Sequence, residues 1–434
     1  FSPFTLDLIF TRMDEKGQLI ADPQYLEFSY NGNELEALID SETPTNAHLT
    51  EVFDGNGNSQ GYLMAVTMFN TALPPGNSTL DVLAALLDHS GCVVWSRYME
   101  RAGSDEYARD VIQLAGGELV VLVNRFQPAT GVNTMELLSF SINGQNCSDL
   151  QFNLPSTDEF FPSAIANVEG LTNPSATVAV GGYWKSGQRF LGIYLLQSDL
   201  TLATPGPLLY DMLPANPEET PFPTGILQNG ENLVVAGYMT KNSPDREAFL
   251  MEVRPYTPSG IVDGLPLWAR RIRNNATNAV YGNGFRIYGL DKNPAGELFV
   301  AGAAMGANDE FFRAFLIKTN QQGVAQWTNL FPGAFGNESA QDALAYHVDV
   351  ANDGSLVLAG YRPRPDSSDG FFWVSRTDPG GNLHNCDCFD PLSLLIENYQ
   401  PEFSQTTSPE PTSVACAGGI TIPSCVAYTP SQLF

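Results

Sequence analysis

Gly230-Glu231-Asn232-Leu233-Val234-Val235-Ala236-Gly237-Tyr238 reads as a turn, an apolar strand and a small-residue ending. The string returns as Gly296-Glu297-Leu298-Phe299-Val300-Ala301-Gly302, and again as Gly354-Ser355-Leu356-Val357-Leu358-Ala359-Gly360-Tyr361. Outward from these copies, a unit of roughly 55–65 residues recurs about six times. Residues placed like Ala236 are Val66, Leu122, Gly181, Ala301 and Ala359.

Each unit divides into four short strands. Tyr107 to Leu114 or Gly284 to Leu290 exemplifies the first, and Leu233 to Tyr238 the second. Ala248 to Val253 exemplifies the third, and the fourth carries Trp95, Trp268 or Trp327. Gly61, Gly117, Gly230, Gly296 and Gly354 mark hairpin turns that need positive φ. Strand two is apolar on both faces, as the middle of a sheet stacked on both sides must be. Four-stranded antiparallel units repeated radially make an all-β propeller. A β-solenoid would need rungs about half as long.

The units map to about 46–100, 101–153, 159–212, 219–273, 279–333 and 339–392, so residues 1–392 form the propeller. Residues 1–28 begin in mid-unit and supply two outer strands of a split blade. Residues 393–434 form a Cys-containing tail, in which 398–415 read as a Pro/Ser/Thr/Glu-rich linker. Val414 to Tyr428 then offers the missing inner pair, against which Pro423 argues. Seven blades are therefore expected, six full and one split, with a six-bladed ring and separate tail as the alternative.

Composition narrows the partners. Lys+Arg number 21 against 48 Asp+Glu, a net charge of −27, leaving no basic patch to draw nucleic acid or an anionic membrane surface. No run approaches the ~18 apolar residues of a bilayer span. Charged residues are only 16%, while Gly (39) and Pro (30) abound, which suits a turn-rich secreted chain. Phe1 in place of Met is taken as a sign of processing. Four of six cysteines, Cys386, Cys388, Cys416 and Cys425, crowd the last fifty residues and suggest disulfides of an oxidising compartment. Cys386 and Cys388 are too close to pair easily, so each is expected to link to Cys416 or Cys425.

The Ala-Gly strand, the apolar third strand, the Asp-x-x-Gly turn (Asp88-His89-Ser90-Gly91) and the Trp strand together resemble the SBBP-type β-propeller repeats of secreted and cell-surface proteins from Bacteroidota-like bacteria. The resemblance spans residues 1–392 and implies an exported scaffold or adhesion module. It implies no catalytic residues.

Chemistry is sparse. Asp88 to Trp95 lacks the spacing of a sialidase Asp box, and the four His show no metal-ligand spacing. No nucleophile elbow occurs. The first strands should line the channel, offering Arg109, Asp110, Arg286, Asp291, His347 and Asp349 for a polar ligand or for acid–base work. Asp54, Asn56 and Asn58 alternate along a loop as calcium ligands do, against a plain hairpin turn. No cofactor is expected beyond calcium at this loop, with a zinc site as the alternative to disulfides at the four clustered cysteines. Three functions follow: an extracellular binding or adhesion module for a protein or glycan; a carbohydrate-active hydrolase or lyase using channel carboxylates; and a subunit that exchanges strands with its own copies through residues 4–28.

Overall fold

The computed structural model describes residues 47–377 apart from 71–79, 102, 146, 153, 156–157, 169–175, 213–219, 241–246, 257–261, 275–283, 306–311, 332–342 and 364–369. Outside that span it describes 5–6, 8–12, 20, 24–26, 28–30, 33–38, 378–382, 390–391, 394–399, 401–405, 412–415 and 426–427.

Antiparallel blades follow one another along the chain in a propeller arrangement. Blade one comprises Ala47–Phe53, Ser59–Asn70, Leu80–Leu87 and Val93–Met99. Blade two comprises Asp105–Gln113, Leu119–Gln127, Val132–Phe140 and Ser148–Gln151. Blade three runs Asp158–Val168, Ala176–Lys185, Gln188–Leu196 and Leu208–Asp211. Blade four runs Thr220–Asn229, Asn232–Thr240, Ala248–Tyr256 and Val262–Asn274. Blade five holds Gly284–Lys292, Leu298–Met305, Phe312–Thr319 and Ala325–Leu330. Three strands of blade six are described, Leu344–Val350, Leu356–Pro363 and Gly370–Thr377.

Side-chain alternation on the second strands makes the core continuous from blade to blade. Leu119, Val121 and Val123 pack with blade one, whereas Val120 and Leu122 pack with blade three. Leu233 and Val235 likewise face blade three, and Val234 and Ala236 face blade five. Each fully buried Val or Leu contributes about 1.5–3 kcal/mol relative to exposure. Both faces of a middle strand must therefore be apolar.

A β-bulge recurs in the inner strands of blades two to six, between Ala108/Asp110, Pro162/Ala164, Pro223/Gly225, Ile287/Gly289 and Ala345/His347. It explains the Ala-Gly ending. A Cβ on Gly181, Gly237, Gly302 or Gly360 would overlap the carbonyl oxygen of Phe161, Phe222, Arg286 or Leu344 respectively. The bulge also corrects one register. Val180 pairs with Ala164 as Ala236 pairs with Gly225, so Val180, not Gly181, is the equivalent of Ala236. Blade three departs again in its last turn, where Leu200 adopts the left-handed φ of 64° that glycine takes at 91, 144, 323 and 381.

Those third-to-fourth turns join neighbours. Gly144, Gly323 and Gly381 lie against the rings of Trp95, Trp268 and Trp327 in the preceding blades, and Gly91 lies against Phe10. The N-terminal strands Leu8–Phe10 and Gln24–Leu26 pair with each other. Leu26 and Phe28 are buried against blade one, with Leu8 and Phe10 packed beside them. This small sheet thus stands before blade one as blade one stands before blade two. Six blades are described, the expected alternative. No inner pair for a seventh lies among the described residues.

The tail overturns two expectations. It is no linker: Asp390–Pro391, Leu394–Tyr399, Glu402–Gln405 and Thr412–Ala415 pair with the outermost strands of blades five, four, three and two in turn. Nor does it fill a blade's inner positions, because Val414 pairs with Asp149 at the rim. Val426–Ala427 pairs with the outer edge of Gln24–Leu26. The tail is a belt that travels the rim in reverse blade order and caps exposed edges. Phe403 pins it, with its ring 5.4 Å from that of Tyr210 and against Gly264.

Candidate functional site: the mouth of the channel

The inner strands start at one face of the ring, and the residues around their bulges stand at the channel mouth. Tyr107, Phe161, Phe222, Arg286 and Leu344 hold equivalent places, two residues before the bulge. Arg109, Ser163, Thr224, Tyr288 and Tyr346 are the bulged residues themselves. Half of these ten residues are aromatic, Tyr288 among them being buried, and guanidinium groups stand at Arg109 and Arg286. Arg109 sits 5.2 Å over the Tyr107 ring. Arg189 sits 4.5 Å over Trp184, whose ring lies 5.2 Å from Phe161. Arg286 sits 4.8 Å over Phe312 and 6.0 Å over Tyr238.

Two of the channel carboxylates prove to be ties between blades. Asp110 accepts hydrogen bonds from Val111 N at 2.8 Å and from Ile165 N of blade three at 2.9 Å. Burial nevertheless pushes its carboxyl up to about 6. Asp291 accepts from Val350 N of blade six at 2.7 Å. Burial, with a lesser contribution from neighbouring Asp349, raises the Asp291 pKa above its ordinary value. Asp349 and His347 are exposed along the inner strand of blade six. The structure thus unites Asp291 with Asp349. Arg109 and Asp110 sit instead on blade two, where Asp110 Oδ1 lies 4.0 Å from His48 Nδ1.

Asp54 organises a hairpin. Its Oδ1 accepts from the backbone N of Asn56 and Asn58 at 2.8 and 2.9 Å, and its Oδ2 from Asn58 Nδ2 at 3.1 Å. These donors, led by the Asn58 amide, lower its pKa. Asp88, Asn320 and Asp378 tie their own turns by the same backbone bonds, so the motif belongs to turn construction. Among the described residues, no group of three His, Cys, Asp or Glu is arranged to hold a metal ion. Cys386, Cys388, Cys416 and Cys425 lie outside the described residues. Neither Cys92 nor Cys147 is a free thiol.

A buried ionic box between blades one and two escaped the sequence reading. Arg101 pairs with Glu136 at 2.7 Å, with Glu106 at 3.4 Å, and with Asp149. The three carboxylates are almost wholly buried. Burial pushes Glu106 up to about 7; burial, with Glu106 and Asp149 adding repulsion, pushes Glu136 up to about 9. The available signal was a lone Glu136 inside the apolar run Met135 to Leu138.

On the opposite face, a cleft of about 680 Å³ opens between the first turns of blades four and five, lined by Asn229 to Asn232, Glu252 and Lys292 to Gly296 among others. Several of its polar groups are spent internally: Asn229 Nδ2 donates to Glu252 Oε1 at 2.8 Å and Lys292 Nζ to Gln228 O. The mouth, not this cleft, presents ring surface. No family model matches the chain, and no curated protein matches it.

Proposed function

We propose that this propeller is a non-enzymatic binding module, secreted or displayed on a cell surface, that captures a protein or glycan at its channel mouth. One observation carries the reading: Asp110 and Asp291 are tied to the backbone of the next blade, while the mouth offers aromatic rings and guanidinium groups. Rings of this kind supply large contact area at little entropic cost. The resemblance to SBBP-type repeats, the turn-rich composition and the clustered tail cysteines support an extracellular setting and disulfide cross-links.

A carbohydrate-active enzyme is the second reading, favoured by the Asp291–Asp349 pair. Its two carboxyls lie close enough for Asp349 to help raise the Asp291 pKa. Retaining glycosidases hold their two carboxyl groups about 5–5.5 Å apart and inverting ones further. Strand exchange through residues 4–28 has less support, because Val426–Ala427 of the same chain already pairs there.

Binding of the full chain to intact bacterial cells and to immobilised polysaccharides, with Phe222→Ala and Tyr346→Ala beside it, tests the proposal. Both variants should weaken binding at least tenfold at an unchanged melting temperature. Undiminished binding by both would remove the mouth as the site. Reducing-end release that disappears in Asp349→Asn would install the enzymatic reading instead.

A further inference from the structure

In a chain with more than twice as many acidic as basic side chains, a guanidinium without a carboxylate is informative. Arg101, Arg254, Arg271 and Arg376 each have an acidic partner within salt-bridge distance. Arg286 has none among the described residues. Its Nη1 reaches only the Tyr288 hydroxyl at 3.3 Å, and its Nε is buried with no acceptor. It sits instead in an aromatic arc drawn from blades four, five and six. Phe222 and Tyr238 are 5.3 Å apart, Tyr238 and Tyr288 6.2 Å, and Tyr288 and Tyr346 5.3 Å, with Phe312 under the guanidinium. Tyr238 and Tyr288 are buried and hold the arc in place; Phe222, Phe312 and Tyr346 keep partly exposed surface.

We propose that this arc is a subsite for a carboxylated carbohydrate, an inference that rests on the mouth being the binding surface. The guanidinium pairs with the sugar carboxylate, a charge-assisted and geometrically matched bond. The ring faces stack on the apolar C–H face of the same sugar. Rings hold Arg286 in position before the ligand arrives, so little side-chain entropy is lost on binding. An acidic peptide fits less well: its backbone amides need hydrogen-bond partners, and the arc offers rings and one cation.

The test uses the full chain in calorimetric titrations with an oligogalacturonate, with its methyl-esterified form, and with an oligo-aspartate peptide. The oligogalacturonate should bind at least tenfold more tightly than the ester, and Arg286→Met should erase that preference. Arg286→Lys, which keeps the charge but not the fork, should retain part of it and covers the case in which the Met variant misfolds. Phe222→Ala should weaken both sugars equally. Equal affinity for acid and ester, a preference that survives Arg286→Met, or no binding of either sugar overturns the inference. So does tighter, Arg286-dependent binding of the peptide. If only the acid preference fails while Phe222→Ala still weakens both sugars, the mouth stands as the binding surface without an acidic subsite.

Discussion

Replacing Arg101 by Met should destabilise the propeller, and the loss should depend on pH. Contacts of 2.7 and 3.4 Å to Glu136 and Glu106, with a third to Asp149, place one cation among three buried carboxyl groups. At an effective dielectric near 20 each contact is of order 5–6 kcal/mol before desolvation is subtracted. After that subtraction, removing one partner of a buried ion pair costs about 3–5 kcal/mol. Glu106 and Glu136 hold protons more tightly folded than unfolded. Their contribution is therefore complete below the unfolded carboxyl value and is lost as pH rises through about 7 and about 9. Native protein should thus lose stability between about pH 5 and pH 9. In Arg101→Met the deficit should be smaller near pH 5, where both glutamates are neutral and the Asp149 contact is the ionic one lost, and grow toward about 3–5 kcal/mol near pH 9, where Glu106 and half of Glu136 are ionised. Urea titrations at the two pH values measure it. An equal loss at both, or a loss under about 1 kcal/mol at both, would show that Arg101 does not hold these carboxyls in the fold.

Further expectations concern the bulge, the belt and its cross-links. Gly237→Ala should cost about 1–3 kcal/mol or more by melting, because its Cβ would overlap Phe222 O, whereas Gly116→Ala meets nothing within 4 Å and should be near neutral. Phe403→Ala should cost roughly 3–5 kcal/mol and expose residues 394–415 to limited proteolysis before the blades are cut. Ser148 pairs with Ala415, so the residue preceding one and the residue following the other, Cys147 and Cys416, are expected to be joined, in place of the link from Cys416 to Cys386 or Cys388 expected from sequence. Non-reducing peptide mapping should recover that pair; recovery of Cys147 in any other linkage would discard it.

The blades were legible because their rules are local. Positive-φ turns demand glycine, a double-sided strand demands Val or Leu on both faces, and the bulge demands the Ala-Gly ending at 236–237 and 301–302. The belt was illegible for a physical reason. A strand on the rim bonds through its backbone along one edge, so Pro401 and the polar residues around it leave no alternating signature. The ties made by Asp110 and Asp291 were hidden too, since each ends on a backbone amide of another blade, which carries no sequence identity. At the mouth, Arg286 could be singled out from its strand alone. Its aromatic company could not, because Phe222, Phe312 and Tyr346 come from three different blades.

The belt also gives the molecule a direction of mechanical weakness. A pull on the chain beyond Ala427 loads the rim pairs in series rather than together. Among the described residues, the two pairs on the N-terminal sheet yield first; once the expected Cys147–Cys416 link is reduced, four on blade two, four on blade three, six on blade four and two on blade five follow. Each step frees a measured length of chain while the blades behind it stay folded. The rim would therefore absorb force as a succession of small extensions, and the channel mouth would keep its shape until the last of them.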